Sequence, residues 1–242
     1  MYKRQMSISG PILGIWAHPD DEAFLSAGLM ADAVALGERV VCVTATRGEL
    51  GVQDPERWPP EKLAEIREAE LQESFRILGV TEHHWLDYPD GGCHLVDDED
   101  ATARLAQIIE DVQPQSVLTF GPDGMTAHQD HMAVSRWTTL AFARSAPEGS
   151  RLLYATKTPD WADRFVPLML SRHILMEEDA DPPVTPHHEL AVAFDLPDDL
   201  MELKTRALLA QESQIGAMID VFGEDVVWEV NRVEYFRLAA TR

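Results

Sequence analysis

The chain has 242 residues, 45% of them hydrophobic, with 42 acidic against 20 basic side chains and a formal net charge of −22. That balance argues against binding a nucleic-acid backbone, which needs a basic face, while length and apolar content suffice for one larger domain with a substantial core. No apolar window approaches the span of a bilayer, and Met1-Tyr-Lys-Arg4 opens no signal-like apolar region, so the expectation is a cytoplasmic protein without a membrane span.

Ile12-Leu-Gly-Ile-Trp16 is a short apolar run that reads as a buried strand, and Glu22–Leu36 follows with helical periodicity, stopping near Gly37. Arg39–Thr46 reads as a second strand and ends in Arg47-Gly-Glu49. A loop rich in Pro and charge (Gly51–Pro60) leads to a long amphipathic helix, Glu61–Leu78, closed by Gly79. His83–Leu86 is a short strand running into Tyr88-Pro-Asp-Gly-Gly92, and Ala101–Val112 is helical. Ser116–Phe120 is a buried strand ending at Gly121-Pro-Asp-Gly124, His131–Ala143 is helical, and Leu152–Thr156 is a fifth strand. The last third is less regular. Met176–His188 is acidic and Pro-rich and reads as a loop, Glu189–Leu196 as a strand, Asp199–Gln211 as a helix, and Val226–Leu238 as one or two short strands.

Strand and helix alternating at this spacing predict an α/β fold with a parallel sheet and right-handed crossovers. With no internal repeat and no low-complexity linker, one domain over residues 1–242 is expected, the irregular stretch 157–242 completing the pocket. Cys42 and Cys93 have no CxxC or zinc spacing, and Cys42 within Val40–Thr44 reads as a small core residue. There is no GxGxxG and no phosphate-cradling P-loop, which speaks against a nucleotide-dependent enzyme.

The polar residues gather instead after strand ends: His18–Asp21, Arg47–Glu49, Asp87–Asp90 and Asp123–His131. In a doubly wound sheet all four lie on the carboxyl edge, where such folds place their sites. A catalytic zinc takes three His or carboxylate ligands and keeps a fourth position for water. His18 and Asp21 supply two of these, and a histidine of His128-Gln-Asp-His131 supplies the third. Asp20, beside the metal, is placed to take a proton from water. The other histidine of the second cluster is free to face a developing oxyanion, and Asp130 to orient His128 from the second layer. Each acid alone also reads as a helix cap, and each histidine alone as a satisfied core or surface residue. The joint placement of two clusters on one edge favours the site. His83, His84, His94, His173, His187 and His188 lack that context, although His187 and His188 could border the pocket.

At Ala17-His-Pro-Asp-Asp-Glu22, Thr46-Arg-Gly-Glu-Leu-Gly51, Arg67-Glu-Ala-Glu-Leu71, Leu78-Gly-Val80, Gly121–Asp123 and His128-Gln-Asp-His131 the chain resembles the LmbE-like, or PIG-L, family of zinc-dependent N-deacetylases. The match is collinear from about Ile12 to Gln214, where Lys204 through Ser213-Gln214 resembles the family's C-terminal helix signature. The resemblance implies a Rossmann-like three-layer sandwich with a mostly parallel central sheet. It also implies hydrolysis of the N-acetyl group of an N-acetylglucosaminyl conjugate to acetate and an amine.

It assigns His18, Asp21 and His131 to Zn2+ (Fe2+ being the alternative), Asp20 to the base, and His128 to the tetrahedral intermediate. Arg67, Asp90 and Glu49 correspond to positions at the sugar, with an ion pair to Glu70 as the other reading of Arg67. Gln129 stands where the family often has Pro, and Gln211 where it often has His. Two rivals remain: an amidase of the same fold acting on a larger thiol-sugar conjugate, and a non-catalytic metal- or sugar-binding domain. The aglycone and a homo-oligomeric state stay open at this level.

Overall fold

The alternation of apolar runs and amphipathic segments builds one seven-stranded sheet with helices on both faces. The structure, a computed structural model, describes residues 8–171 and 183–242. Its strands are β1 (Ile12–Trp16), β2 (Val40–Thr44), β3 (Glu82–Trp85), β4 (Ser116–Phe120), β5 (Arg151–Ala155), β6 (Leu190–Asp195) and β7 (Val233–Thr241). They lie in the order β3-β2-β1-β4-β5-β7-β6, with β1 to β5 parallel and β7 antiparallel to both of its neighbours. The fold is therefore α/β with a mostly parallel central sheet. Every residue of β1, β2 and β4 is buried, which is why these strands read as continuous apolar runs rather than alternating ones.

The chain leaves β1 toward β2 and β3, then returns to place β4 on the other side of β1. Right-handed crossovers in the two directions put their helices on opposite faces. Helices α1 (Asp21–Leu25), α2 (Ala27–Ala35) and α3 (Leu63–Leu78) pack with α7 (Asp198–Leu209). On the other face α4 (Asp98–Val112) packs against α5 (Gln129–Ser145). The reversal between β1 and β4 opens a crevice at the carboxyl ends of those strands, where His18 and the loop before α5 arrive. Gly79, at φ 77, closes α3 in the left-handed conformation that its sequence position predicts.

Two expectations need correction. The single helix Glu22–Leu36 is broken at Ser26, whose φ of −144 lies outside the helical range. The break is stabilised from far along the chain. Glu234 on β7 accepts the Gly28 and Leu29 N–H groups at 2.8 and 2.9 Å, capping α2 in trans. Lys204 on α7 donates to Glu234 at 2.7 Å and to the Phe24 carbonyl at the end of α1 at 2.9 Å. Both side chains of this ion pair are essentially fully buried. Local periodicity carries no trace of a cap contributed by a residue more than two hundred positions away.

The last third is also more regular than expected. It holds α6 (Pro159–Ser171), α8 (Glu212–Phe222) and α9 (Glu224–Asn231), and α9 occupies the first half of the segment Val226–Leu238 that reads as strand. The run Val226-Val-Trp-Glu-Val230 is β-like in composition, yet the buried positions Val227, Val230 and Asn231 follow the helical i, i+3, i+4 spacing. His173 and residues 176–182 of the expected loop lie outside the described residues. No helix among the described residues is long and apolar enough to cross a membrane.

Removing one partner of a buried pair leaves an uncompensated charge. Glu234→Ala strands the Lys204 ammonium and two backbone N–H groups, and is expected to cost about 3–5 kcal/mol in urea unfolding. Lys204→Met leaves Glu234 its two N–H donors and is expected to cost less. An equal or larger loss in the lysine variant would contradict trans-capping.

Lys157, just past β5, is buried over the Trp161 ring at 4.9 Å. Burial, joined by repulsion from Lys204 and opposed by Glu234, pushes its amine down to about 7. Because the folded value lies below the ordinary one, the contribution of this group to stability is complete above its unfolded pKa and is lost as pH falls toward 7. Lys157→Met is therefore expected to raise Tm at pH 7 by about 3–5 °C, with the gain over wild type shrinking by pH 9.5. A gain that does not shrink would show that titration of this amine is not its source.

Candidate functional site

β1 ends at Trp16, and the next residues turn sharply into α1. His18 and Asp21 sit on that turn, joined by a hydrogen bond from the His18 N–H to Asp21 Oδ2 at 2.8 Å. The same oxygen accepts the Ala17 N–H at 3.2 Å, so the carboxylate direction is set by the backbone. Across the crevice His128 is the N-cap of α5, its Nδ1 accepting the Asp130 N–H at 3.2 Å. His131 lies one turn in, stacked on Phe120 with ring centroids 4.1 Å apart.

Three donor groups meet there. His18 Nδ1 and His131 Nε2 are 3.1 Å apart. Asp21 brings Oδ2 to 3.8 Å from the first and Oδ1 to 3.5 Å from the second. His131 donates its Nδ1–H to the Gly124 carbonyl at 2.9 Å, which leaves Nε2 as a bare lone pair. His18 turns Nε2 toward Asp90 Oδ1 at 3.1 Å and Asp130 Oδ2 at 3.3 Å, so that nitrogen carries the proton and Nδ1 also faces its neighbour with a lone pair. Two imidazole lone pairs and a carboxylate converging in a buried spot require a cation between them. Without a metal the cation is a proton. Burial lowers the His18 pKa, but the carboxylates of Asp130, Asp90 and Asp21 outweigh it and push the ring up to about 10. Burial and the His18 charge hold His131 well below its ordinary value. The donor set fits a divalent metal of borderline softness. His128 approaches too: one nitrogen from each of His18, His128 and His131 falls within 4.8 Å of the others, as do donor atoms of His18, Asp90 and Asp130.

Asp20, between the two proposed ligands, has φ 112 and ψ −35, a conformation that non-glycine residues rarely adopt. Four of the five non-glycine residues with positive φ among the described residues, Asp20, Asp87, Met125 and Ala127, lie in the loops that form this edge. The Asp20 carboxylate accepts from Arg67 Nη2 at 3.1 Å, and its N–H donates to Glu22 Oε2 at 3.1 Å. Burial raises its pKa to about 7 with help from Asp21, against the Arg67 guanidinium.

Arg67 is buried and also binds the Gly48 carbonyl at 2.8 Å and the Pro19 carbonyl. It leaves Glu70 to the N–H and O–H of Ser213. A Cβ on Gly48, which has φ +66, would run into this guanidinium. Asp130 meets the His128 ring only through its backbone N–H, while its carboxylate holds His18 and is fixed by the Gly91 and Cys93 N–H groups at 2.7 and 3.0 Å. Asp90 divides its oxygens between His18 and the Leu50 N–H. Glu49 accepts the Asp90 N–H through Oε1, while its buried Oε2 has no hydrogen-bond partner among the described residues. Arg47 lies over Trp85 and pairs with Glu68 and Asp87.

The other described histidines lie elsewhere. His83 donates to or accepts from Thr44 Oγ1 at 3.0 Å, and burial with the nearby His84 and Arg47 lowers it to about 4. His187 pairs with Asp160 and lines a cavity of about 280 Å³ with Trp161 and Arg164, and no residue of the His18–His131 cluster lines that cavity. Two buried residues at the site escape sequence reasoning: Glu22, which reads as a helix start, and Gln211, which donates to Glu22 Oε1 at 2.6 Å. The departure from His at position 211 is the one signal that points there.

The PIG-L family, described as GlcNAc-PI de-N-acetylase, matches residues 13–142 of the chain. The 1D-myo-inositol 2-acetamido-2-deoxy-alpha-D-glucopyranoside deacetylase of Thermobifida fusca is 31% identical over 94% of this chain and 92% of its own length. The enzyme of the same name from Kineococcus radiotolerans is 36% identical over 58% of this chain and 46% of its own. Among solved structures, N,N'-diacetylchitobiose deacetylase from Pyrococcus horikoshii superposes with a TM-score of 0.65 at 24% identity, covering 95% of this chain and 83% of that one.

Proposed function

This chain belongs to the PIG-L family, and on that footing we propose that it is a metal-dependent amide hydrolase that removes the acetyl group from an N-acetylglucosaminyl conjugate. The observation that carries the reading is the meeting of His18 Nδ1, His131 Nε2 and the Asp21 carboxylate within 3.1–3.8 Å, with Asp20 beside them. These three residues would hold zinc, or iron(II) in its place. Bound there, the metal supplies a Lewis acid for the acetamide carbonyl and lowers the pKa of water.

The chain's own residues supply the proton chemistry. Asp20 takes the proton of the attacking water as its oxygen bonds to the acyl carbon, and returns it to the amine nitrogen as the C–N bond breaks. Its raised pKa, which a neighbouring dication would partly offset, suits a group that both accepts and gives a proton near neutrality. His128 uses Nδ1 as the helix cap, so its Nε2 keeps the proton and donates to the carbonyl oxygen as charge develops there. Burial and the His18 charge keep this ring below its ordinary pKa, as a neutral donor.

Of the residues expected at the sugar, Arg67 commits Nη1 and Nη2 to Gly48, Pro19 and Asp20, and Asp90 divides its oxygens between His18 and the Leu50 N–H. Glu49 Oε2 is the buried acceptor left for a sugar hydroxyl. The acidic chain disfavours a multiply anionic aglycone.

Metal analysis of the purified protein, followed by an acetate-release screen on N-acetylglucosaminyl conjugates, tests the proposal. Stoichiometric metal and acetate release with a free amine are expected. Cleavage confined to bulkier thiol-sugar amides would favour the amidase alternative. Tight conjugate binding with full metal and no hydrolysis of any amide would overturn the enzymatic reading.

A further inference from the structure

Glu22 and Gln211 stand apart from the residues that would touch metal or substrate. Glu22 is wholly excluded from solvent and Gln211 almost so. The Gln211 Nε2–H donates to Glu22 Oε1 at 2.6 Å, and Glu22 Oε2 accepts the Asp20 N–H at 3.1 Å. That N–H belongs to the residue at φ 112, the most strained position of the edge. A strained residue persists only where its surroundings over-determine it. Arg67 fixes Asp20 from the other side, through its carboxylate and through the Pro19 carbonyl. Glu22 thus holds the N–H of the Pro19–Asp20 peptide, while Arg67 holds its carbonyl and the Asp20 side chain.

Gln211 sits between α7 and α8, at the point where the C-terminal third reaches the first turn of the chain. Its neighbours reinforce that contact: Ser213 binds Glu70 on α3, and Gln214 donates to the Gly51 carbonyl at 3.0 Å.

We infer that Glu22 and Gln211 are positioning residues, a buried amide–carboxylate relay through which the C-terminal third holds the Asp20 backbone in its left-handed conformation and so aims the base. The inference rests on the reading of Asp20 as that base. Both oxygens of Glu22 act as acceptors here, one from the Gln211 amide nitrogen and one from the Asp20 N–H. Gln211→Glu sets two buried carboxylates face to face, and Gln211→Leu removes the donor. Glu22→Gln combined with Gln211→Glu reverses the pair. The amide introduced at position 22 accepts the Asp20 N–H through its oxygen and donates through its nitrogen to the carboxylate introduced at position 211.

The test measures kcat, KM, metal content and hydrogen exchange at the Asp20 amide for both single variants and the exchanged pair. Each single variant is expected to lose about 10–100-fold in kcat with KM within about 2-fold and wild-type metal content. Asp20 amide exchange is expected to accelerate about 10-fold or more while the core strands keep their protection. The exchanged pair is expected to recover both readouts to within about 3-fold. Were the single variants not to fold, the exchanged pair alone decides, and fast Asp20 exchange in it would overturn the relay. Folded, metal-loaded Gln211→Leu with wild-type kcat and unchanged Asp20 exchange also overturns it. Wild-type protein that releases no acetate from any conjugate would sink the catalytic reading instead, and the exchange data would still report on the relay.

Discussion

Asp20→Asn is expected to lower kcat for acetate release by about 10²–10⁴-fold while leaving metal content at the wild-type level. Asn keeps the size of Asp and an oxygen that accepts from Arg67 Nη2, 3.1 Å away in the wild type, so the grip on the side chain survives. The backbone N–H to Glu22 is untouched by the change. What disappears is the ability to take a proton, since a carboxamide is no base at any working pH. The three donors that meet at His18, His131 and Asp21 are unaltered, so metal analysis should show no loss. The metal-free variant should also melt no lower than the metal-free wild type, because it removes a carboxylate whose ionised form burial disfavours. Activity lost with metal and stability retained is the signature of a base. Wild-type turnover in a metal-loaded variant would remove Asp20 from that role, and metal lost alongside activity would make it a ligand.

How much of this is legible in the sequence differs by region, for physical reasons. β1, β4 and the four polar clusters are readable because a parallel strand buried on both faces is a continuous apolar run, and because its carboxyl end must turn toward the next helix. The convergence of His18 with His131 follows from that topology once β4 is placed beside β1. The residues behind the donors are less legible. Asp130 reads as the partner of His128, its neighbour in sequence, yet its carboxylate reaches His18, 112 positions away. Asp90 and Arg67 carry no sign in the sequence of their contacts with His18 and Asp20. Periodicity reports which face of an element is buried, and it is silent on which distant side chain meets it there. The same limit hides the Ser26 break, set by Glu234 on β7. It hides α9 as well, whose valine-rich composition suggests strand while its burial spacing is helical.

His18→Ala is expected to abolish both metal binding and activity, with metal falling below about 0.1 equivalent and turnover by more than about 10⁴-fold. Two consequences follow from its position, and the second separates it from His131→Ala. The first is shared: each change removes one of two imidazole nitrogens 3.1 Å apart, and a carboxylate with one histidine is too few donors for a structured divalent site. The second belongs to His18 alone. Its ring lies against Asp21, Asp90 and Asp130, and without it these three carboxylates lose the cation that touches all of them, with only the more distant Arg67 to offset their repulsion. His131 instead donates to a neutral carbonyl, that of Gly124, and carries far less of this charge balance. Melting of the metal-free proteins at pH 7 should therefore rank wild type above His131→Ala and His131→Ala above His18→Ala, although both variants are equally dead and equally metal-free. Asp130→Asn gives the converse check: it keeps all three donors, loosens the orientation of His18, and should weaken metal affinity by about 10–100-fold without abolishing it. Full metal stoichiometry in His18→Ala would refute the ligand set. Equal melting of the two histidine variants would instead refute the account of His18 as the cation that holds three acids together.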